Sequence, residues 1–328
     1  MKILVCEYIT ANGLEPKAQA LLSEGNWMAL SLVRDLNEVS GVRADLMRAR
    51  SAGPTPLDPE RVCWVEPTET FWEVLLRCVN DYDAVWPIAP ETDGLLERLS
   101  AWILDAGGTL LSCPPAGVRL AASKKDCFER LHAHGIPAVP TRSLNRSRME
   151  PPFAFPIVIK PDDGVGCEGL RVLHRPAAYG RFLEDHPEGN WIVQPWLAGD
   201  PISYSALFLR GRGVLLTCNR QHLMKTEGGL HLAAIEVNAL ADPEGHHVAT
   251  LQKIASALPE LWGYAGVDLI VEDGQATVLE VNPRLTSAYP ALFRALGENP
   301  AALALDLYHL RQLPTQRALV NHPVWAQW

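Results

Sequence analysis

The chain has 328 residues, 48% of them apolar and 20% charged, a balance that excludes wholesale disorder. Its 29 Lys and Arg against 38 Asp and Glu give a net charge of −9 and no basic cluster, which disfavours a nucleic-acid partner. Met1–Glu7 reaches a carboxylate after four apolar residues, and no stretch approaches the roughly 18 apolar residues of a membrane span. A cytoplasmic protein without a membrane partner is expected. The seven cysteines are scattered and lack a CxxC pair, so they read as reduced thiols rather than a disulfide frame or zinc site.

Strands and helices alternate through the first third. Strands are expected at Lys2–Tyr8, Arg61–Val65, Ala84–Ile88 and Thr109–Cys113, and helices at Pro16–Val39, Thr70–Val79 and Thr92–Ala106. That alternation predicts a parallel sheet, which gathers ligands at the carboxyl ends of its strands. After Pro114-Pro115 the rhythm changes. A helix is expected from Ser123, as its N-cap, to His134, where Gly135-Ile136-Pro137 stops it. Strands follow at Phe155–Lys160, Gly169–Leu173, Trp191–Gln194, Ser203–Leu209, Val214–Cys218, Gly266–Glu272 and Gln275–Val281. Helices are expected at Pro176–Glu184, His246–Leu258 and Ala291–Leu310. The fold class is therefore an α/β parallel-sheet domain followed by an α+β unit, divided at 1–115, 116–195 and 196–328.

Ile157–Gly169 contains a literal G-x-G-x-x-G at Gly164, Gly166 and Gly169. A dinucleotide site would require a helix to open directly after it, whereas Leu170-Arg171-Val172-Leu173 reads as a strand. Glycines in a strand–loop–strand let backbone N–H groups approach phosphate oxygens, and Lys160 beside the loop adds a point charge. The ordinary alternative is a plain glycine hairpin with a snorkelling lysine.

Gly266–Glu272 and Ala276–Asn282 flank Asp273-Gly274-Gln275, which reads as a three-residue hairpin connection. That length sets Asp268 opposite Glu280, with Asn282 on the face of Glu280, whereas a two-residue turn would separate the acids. Facing carboxylates repel unless a cation or proton lies between them, and an Asp/Glu/Asn oxygen cluster suits Mg²⁺. Two solvated surface acids are the alternative. Arg284 follows at once, placed to meet a phosphoryl or acyl-phosphate oxygen.

Together these residues resemble the ATP-grasp superfamily, in which two α+β lobes clamp ATP and activate a carboxylate as an acyl phosphate. The resemblance covers roughly Leu120 to Leu292. It implies that Lys124 and Lys160 contact phosphates, that Gly164–Gly169 form the phosphate loop, and that Gln194-Pro195-Trp196-Leu197 form the hinge holding adenine. It further implies Asp200 as the nearest candidate for the ribose acid, Asp268, Glu280 and Asn282 as ligands of Mg²⁺ (or Mn²⁺), and Arg284 and Lys160 as catalytic residues. Val281–Tyr289, Cys218-Asn219-Arg220-Gln221, Cys6-Glu7-Tyr8 and Pro90–Gly94 are similar to the subgroup that contains tyramine–L-glutamate ligase. The implied partners are small amino acids and amines, with a homo-oligomer left open.

Substrate positions are read more loosely. Glu7 and Glu91 each follow a strand's carboxyl end and could pair with an ammonium, or simply cap the next helix. Asn219, Arg220 and Gln221 offer donors for a carboxylate, or form a polar turn, with Arg220 as the glutamate anchor. Trp86, Tyr8 and Tyr289 are the candidate walls of an aromatic slot. Competing functions are another ATP-grasp ligase, a dinucleotide-dependent oxidoreductase and a non-catalytic nucleotide-binding protein.

Overall fold

The computed structural model describes residues 1–13, 19–226 and 229–327. The N-terminal domain is built from β1 (Lys2–Glu7), α1 (Tyr8–Asn12), α2 (Gln19–Asn37), β2 (Arg43–Ala49), β3 (Val62–Val65), α3 (Phe71–Cys78), β4 (Ala84–Ile88) and α4 (Leu95–Asp105). Its sheet is parallel with order β3-β2-β1-β4. Alternation along β1 assigns its faces: Ile3 and Val5 pack with Met28, Leu32 and Leu36 of α2, while Leu4 and Cys6 join Leu75 of α3 and Leu99 of α4. Each such fully buried aliphatic side chain contributes roughly 2 kcal/mol.

The sequence reading missed β2, because Arg43, Asp45 and Arg48 interrupt its apolar run. Tertiary partners make those charges tolerable inside the sheet. Asp45 is held by Arg43 at 3.1 Å and Arg61 at 2.6 Å, and the buried Arg48 donates to the carbonyls of Ala52, Gly53 and Pro54. Three further expectations change. Strand β1 ends at Glu7 because α1 opens at Tyr8, and Thr109–Cys113 supplies only one parallel bridge, Val85 to Leu110. The helix expected from Pro16 is α2, described from Gln19, and residues 16–18 lie outside the described residues.

Two helices, α5 (Pro115–Ala122), not foreseen, and α6 (Lys124–Ala133), lead into the small lobe. Ser123 caps α6 as expected, its hydroxyl accepting from Asp126 N–H at 3.1 Å. The lobe comprises β5 (Arg142–Ser143), β6 (Ile157–Pro161), β7 (Arg171–Leu173), α7 (Pro176–Asp185) and β8 (Trp191–Pro195), with antiparallel order β5-β8-β6-β7. It has its own core of Ile157, Ile159, Tyr179, Phe182 and Val193. No helix opens after Gly169, so the dinucleotide-fingerprint reading falls.

The large lobe carries β9 (Asp200–Leu209), β10 (Arg212–Thr226), β11 (Gly229–Val237), α8 (His246–Ala257), β12 (Trp262–Glu272), β13 (Gln275–Asn282), α9 (Tyr289–Leu296), α10 (Pro300–Leu310) and β14 (Val324–Ala326). Its antiparallel sheet has order β13-β12-β9-β10-β11-β14. The helix expected at Ala291–Leu310 is two helices, since Gly297 takes a positive φ and Asn299 caps α10 with Pro300 behind it. Helix α2 packs in one core with α9 and α10, and Asn299 donates to Asp35 O at 2.7 Å. That packing sets α2 close to the segment between β13 and α9. No described helix is long and apolar enough to cross a membrane.

Candidate active site

A cavity of about 910 Å³ lies between the lobes, and the β12–β13 hairpin supplies its acidic wall. Asp268 does pair with Glu280, but not through a three-residue loop. The turn is Asp273-Gly274 alone, both with positive φ, and Glu272 pairs with Gln275. Such a turn would set Asp268 against Leu279. The ladder instead passes from Leu269–Val278 to Asp268–Glu280, so Leu279 is bulged out and supplies the extra residue. The expected pairing is right, and its stated cause is wrong.

Glu280 Oε2 lies 3.2 Å from Lys160 Nζ and 3.5 Å from Lys124 Nζ. Burial works to raise the Glu280 pKa, but the two ammonium groups hold it down at about 2. Among the described residues Asp268 takes its hydrogen bonds from amides, Gln221 Nε2 at 2.9 Å and Asn282 Nδ2 at 3.0 Å. Burial and the charge of Glu280 push Asp268 up to about 7. A hard-oxygen pair poised between lysines and amides fits a divalent cation, with Asn282 able to turn its amide oxygen inward.

Lys124 is buried at the start of α6 and also donates to the carbonyls of Asp162 (3.1 Å) and Gly164 (2.7 Å). Asp162, which the sequence reading overlooked, positions it: its carboxylate accepts from Ser123 Oγ and Lys125 N–H. Asp163 anchors the loop's start to the N-terminal domain, accepting from Asp93 N–H at 2.7 Å. Gly164, Gly166 and Gly169 all line the cavity, Gly166 and Gly169 with positive φ, and burial raises the neighbouring Cys167 to about 11. Gln194, Pro195, Trp196 and Leu197 also line it. Gln194 is buried, with its amide donating to Thr141 Oγ1 at 2.9 Å. Arg284 Nε, at the cavity's edge, donates to the buried Glu91 Oε2 at 3.0 Å, and that pair joins the N-terminal domain to the hairpin's exit.

Other expected residues fall elsewhere. Glu7 is a helix cap: its carboxylate accepts from Ile9 N–H at 3.0 Å and Thr10 N–H at 2.7 Å. Asp200 is exposed and outside the cavity lining. Asn219, Arg220 and Gln221 form no turn, because β10 continues through them to Thr226. Alternation turns Arg220 to the face opposite Asn219 and Gln221, and of those two Asn219 sits deeper between the strands. Asn219 is fully buried against Ser203 and Ser205, Arg220 points to Glu236 at 3.3 Å away from the cavity lining, and only Gln221 enters the site. Trp86 and Tyr289 are core residues, and Tyr8 lines a separate cavity of about 250 Å³. Glu24 and Ser287, which the sequence reading did not single out, line the main cavity.

The ATP-grasp domain pattern matches residues 121–288, and the pre ATP-grasp 3 domain pattern matches residues 44–118. This chain belongs to the ATP-grasp family. It is 26% identical over 280 residues to the carbamoyl phosphate synthase large chain of Thermomicrobium roseum, covering 80% of this chain and 24% of that one. It thus spans about a quarter of that relative. Tyramine–L-glutamate ligase of Methanocaldococcus jannaschii is 25% identical over 294 residues, 87% of this chain and 82% of its own. An ATP-grasp superfamily protein from Archaeoglobus fulgidus shares the fold at a TM-score of 0.68 and 21% identity, covering 93% of this chain and 88% of that one.

Proposed function

We propose that this ATP-grasp protein is an ATP-dependent carboxylate–amine ligase of the cytoplasm that forms an amide through an acyl phosphate. The observation that carries the reading is the facing Asp268–Glu280 pair, compensated by two lysines beside a glycine loop. Asp268, Glu280 and Asn282 would hold Mg²⁺, or Mn²⁺ in its place, which supplies charge neutralisation at the β- and γ-phosphates. Lys124 and Lys160 bind the remaining phosphate charge, exchanging a carboxylate or carbonyl partner for a phosphate oxygen. Residues Gln194–Leu197 hold the base, and the loop 164–169 keeps water from the mixed anhydride. Arg284, oriented by Glu91, steadies the oxygens of the transferring phosphoryl group.

In this reaction the substrate carboxylate oxygen takes the γ-phosphoryl group and ADP leaves. The amine, entering as an ammonium, gives up one proton to free its lone pair, its nitrogen bonds the acyl carbon, the carbon–oxygen bond to phosphate breaks, and the nitrogen loses a second proton as the amide forms. For substrates we infer the γ-carboxylate of L-glutamate and the amine of tyramine, supported by the similarity to tyramine–L-glutamate ligase over 87% of this chain and 82% of that one. Incubation with Mg·ATP, L-glutamate and tyramine, read by mass spectrometry, should give ADP, phosphate and γ-glutamyltyramide. AMP with pyrophosphate would contradict the mechanism, and better use of tyrosine than of tyramine would contradict the substrate.

A further inference from the structure

One wall of the cavity belongs to the N-terminal domain. Leu21 and Glu24 of α2 line the same space as Lys160, Glu280 and Arg284. A side chain at Gly166 would come within 3.8 Å of Leu21, so this part of α2 lies against the glycine loop. The buried Ser287 donates its hydroxyl to Glu24 Oε1 and fixes the carboxylate's direction. Ser287 is itself held firmly: Thr286 beside it bonds the Tyr264 hydroxyl at 3.1 Å and sits where a Cβ on Gly266 would clash at 2.5 Å.

Of the other acids lining the cavity, Glu168 stands exposed on the glycine loop and has no ion-pair partner among the described residues, and the inner ones are satisfied. Glu280 has its lysines, Asp268 its amides, and Glu91 behind the wall has Arg284. Among the described residues Glu24 has no ion-pair partner, although it faces the cavity and is aimed by a hydroxyl. An amine substrate arrives as an ammonium near neutral pH, since such amines titrate near pH 10. Lys124, Lys160 and Arg284 would repel it. Glu24, unlike the exposed Glu168, has its carboxylate fixed by a buried hydroxyl and can receive it. We propose that Glu24 selects the amine substrate, holding it as a primary ammonium beside Arg284, where the acyl phosphate is made. This rests on the ligase reading above.

The geometry also accounts for specificity against neutral nucleophiles. A charge-assisted hydrogen bond to a fixed carboxylate strengthens binding of a cation and does nothing for water or an uncharged amine. Burial opposes the charge on Arg284, and the nearby Glu91 and Glu24 outweigh it, so the guanidinium and the incoming ammonium share one acidic wall.

The test uses Glu24→Gln, which keeps the bond from Ser287 and removes the charge. Two reactions are followed with Mg·ATP and L-glutamate: amide formation with tyramine, and hydroxamate formation with hydroxylamine, which is uncharged near neutral pH. The KM for tyramine should rise about tenfold or more. The loss of kcat/KM in the hydroxamate reaction should be at least about fivefold smaller than the loss in the tyramine reaction. An unchanged KM for tyramine, or equal losses in both reactions, would overturn the role of Glu24. A wild-type protein that makes no hydroxamate would overturn the ligase reading itself, which separates the two failures.

Discussion

Two pairs of strand carboxylates in this molecule are satisfied in opposite ways. In the N-terminal sheet, Glu7 directs both oxygens to the backbone of α1, and Asp45 is gripped by Arg43 and Arg61. In the hairpin, among the described residues, Asp268 is bonded by side-chain amides and Glu280 by two lysines, each from another element and each facing the cavity. The first pair is closed: backbone donors occupy Glu7, and two guanidinium Nε groups on one oxygen and the Tyr82 hydroxyl on the other occupy Asp45. The second can exchange partners, because an ammonium that balances a carboxylate can equally balance a phosphate. Burial alone does not separate the two kinds of acid, since Glu7 at 2% exposure is deeper than Glu280, whose side chain is 20% exposed.

The largest expected effect breaks the hairpin pair. Glu280→Gln and Asp268→Asn keep shape and remove one charge each, and kcat should fall about a hundredfold or more in either variant. The melting temperature should move by only a few degrees, since neither acid holds the fold together. A variant of either residue with wild-type kcat would show that the acids do not act as a pair.

A smaller effect sharpens the other half of the comparison. Burial raises the Asp45 pKa, but Arg61 and Arg43 outweigh it, and the carboxyl ends below the ordinary Asp range. Its contribution to stability is therefore present above about pH 4, the unfolded value, and is lost as the pH falls through the lower folded value. Melting temperature measured against pH should drop more steeply for the wild-type protein than for Asp45→Asn on that acid limb. Parallel curves would mean that the arginines do not hold Asp45. Nucleotide kinetics at neutral pH should stay within about twofold in this variant, which lies outside the cavity.

How much of this was legible in the sequence follows from how local each cause is. The hairpin acids and the glycine loop were readable because their neighbours lie a few residues away and strand alternation is a local rule. The bulge at Leu279 was not, because nothing in Thr277–Val281 marks which residue leaves the ladder. Strand β2 was hidden by charges whose partners, such as Arg61 for Asp45, are distant in sequence. The sequence ends the strand at Cys218 and leaves Asn219 and Arg220 as carboxylate donors or a polar turn, because polar residues after an apolar run look like a strand's end. In fact β11 pairs with that stretch and carries the strand onward. Glu24 was least visible of all. Its meaning comes from Ser287, 263 residues away, and from the packing of α2 beside the hairpin's exit.

The central claim, that the hairpin carboxylates and their lysines form a metal-dependent nucleotide site, is tested most directly by titrating a non-hydrolysable ATP analogue with and without Mg²⁺. Wild-type affinity should rise about tenfold or more on adding the metal, and Glu280→Gln should lose that increment while keeping most of the metal-free affinity. Equal affinity of the wild-type protein with and without Mg²⁺ would contradict the account.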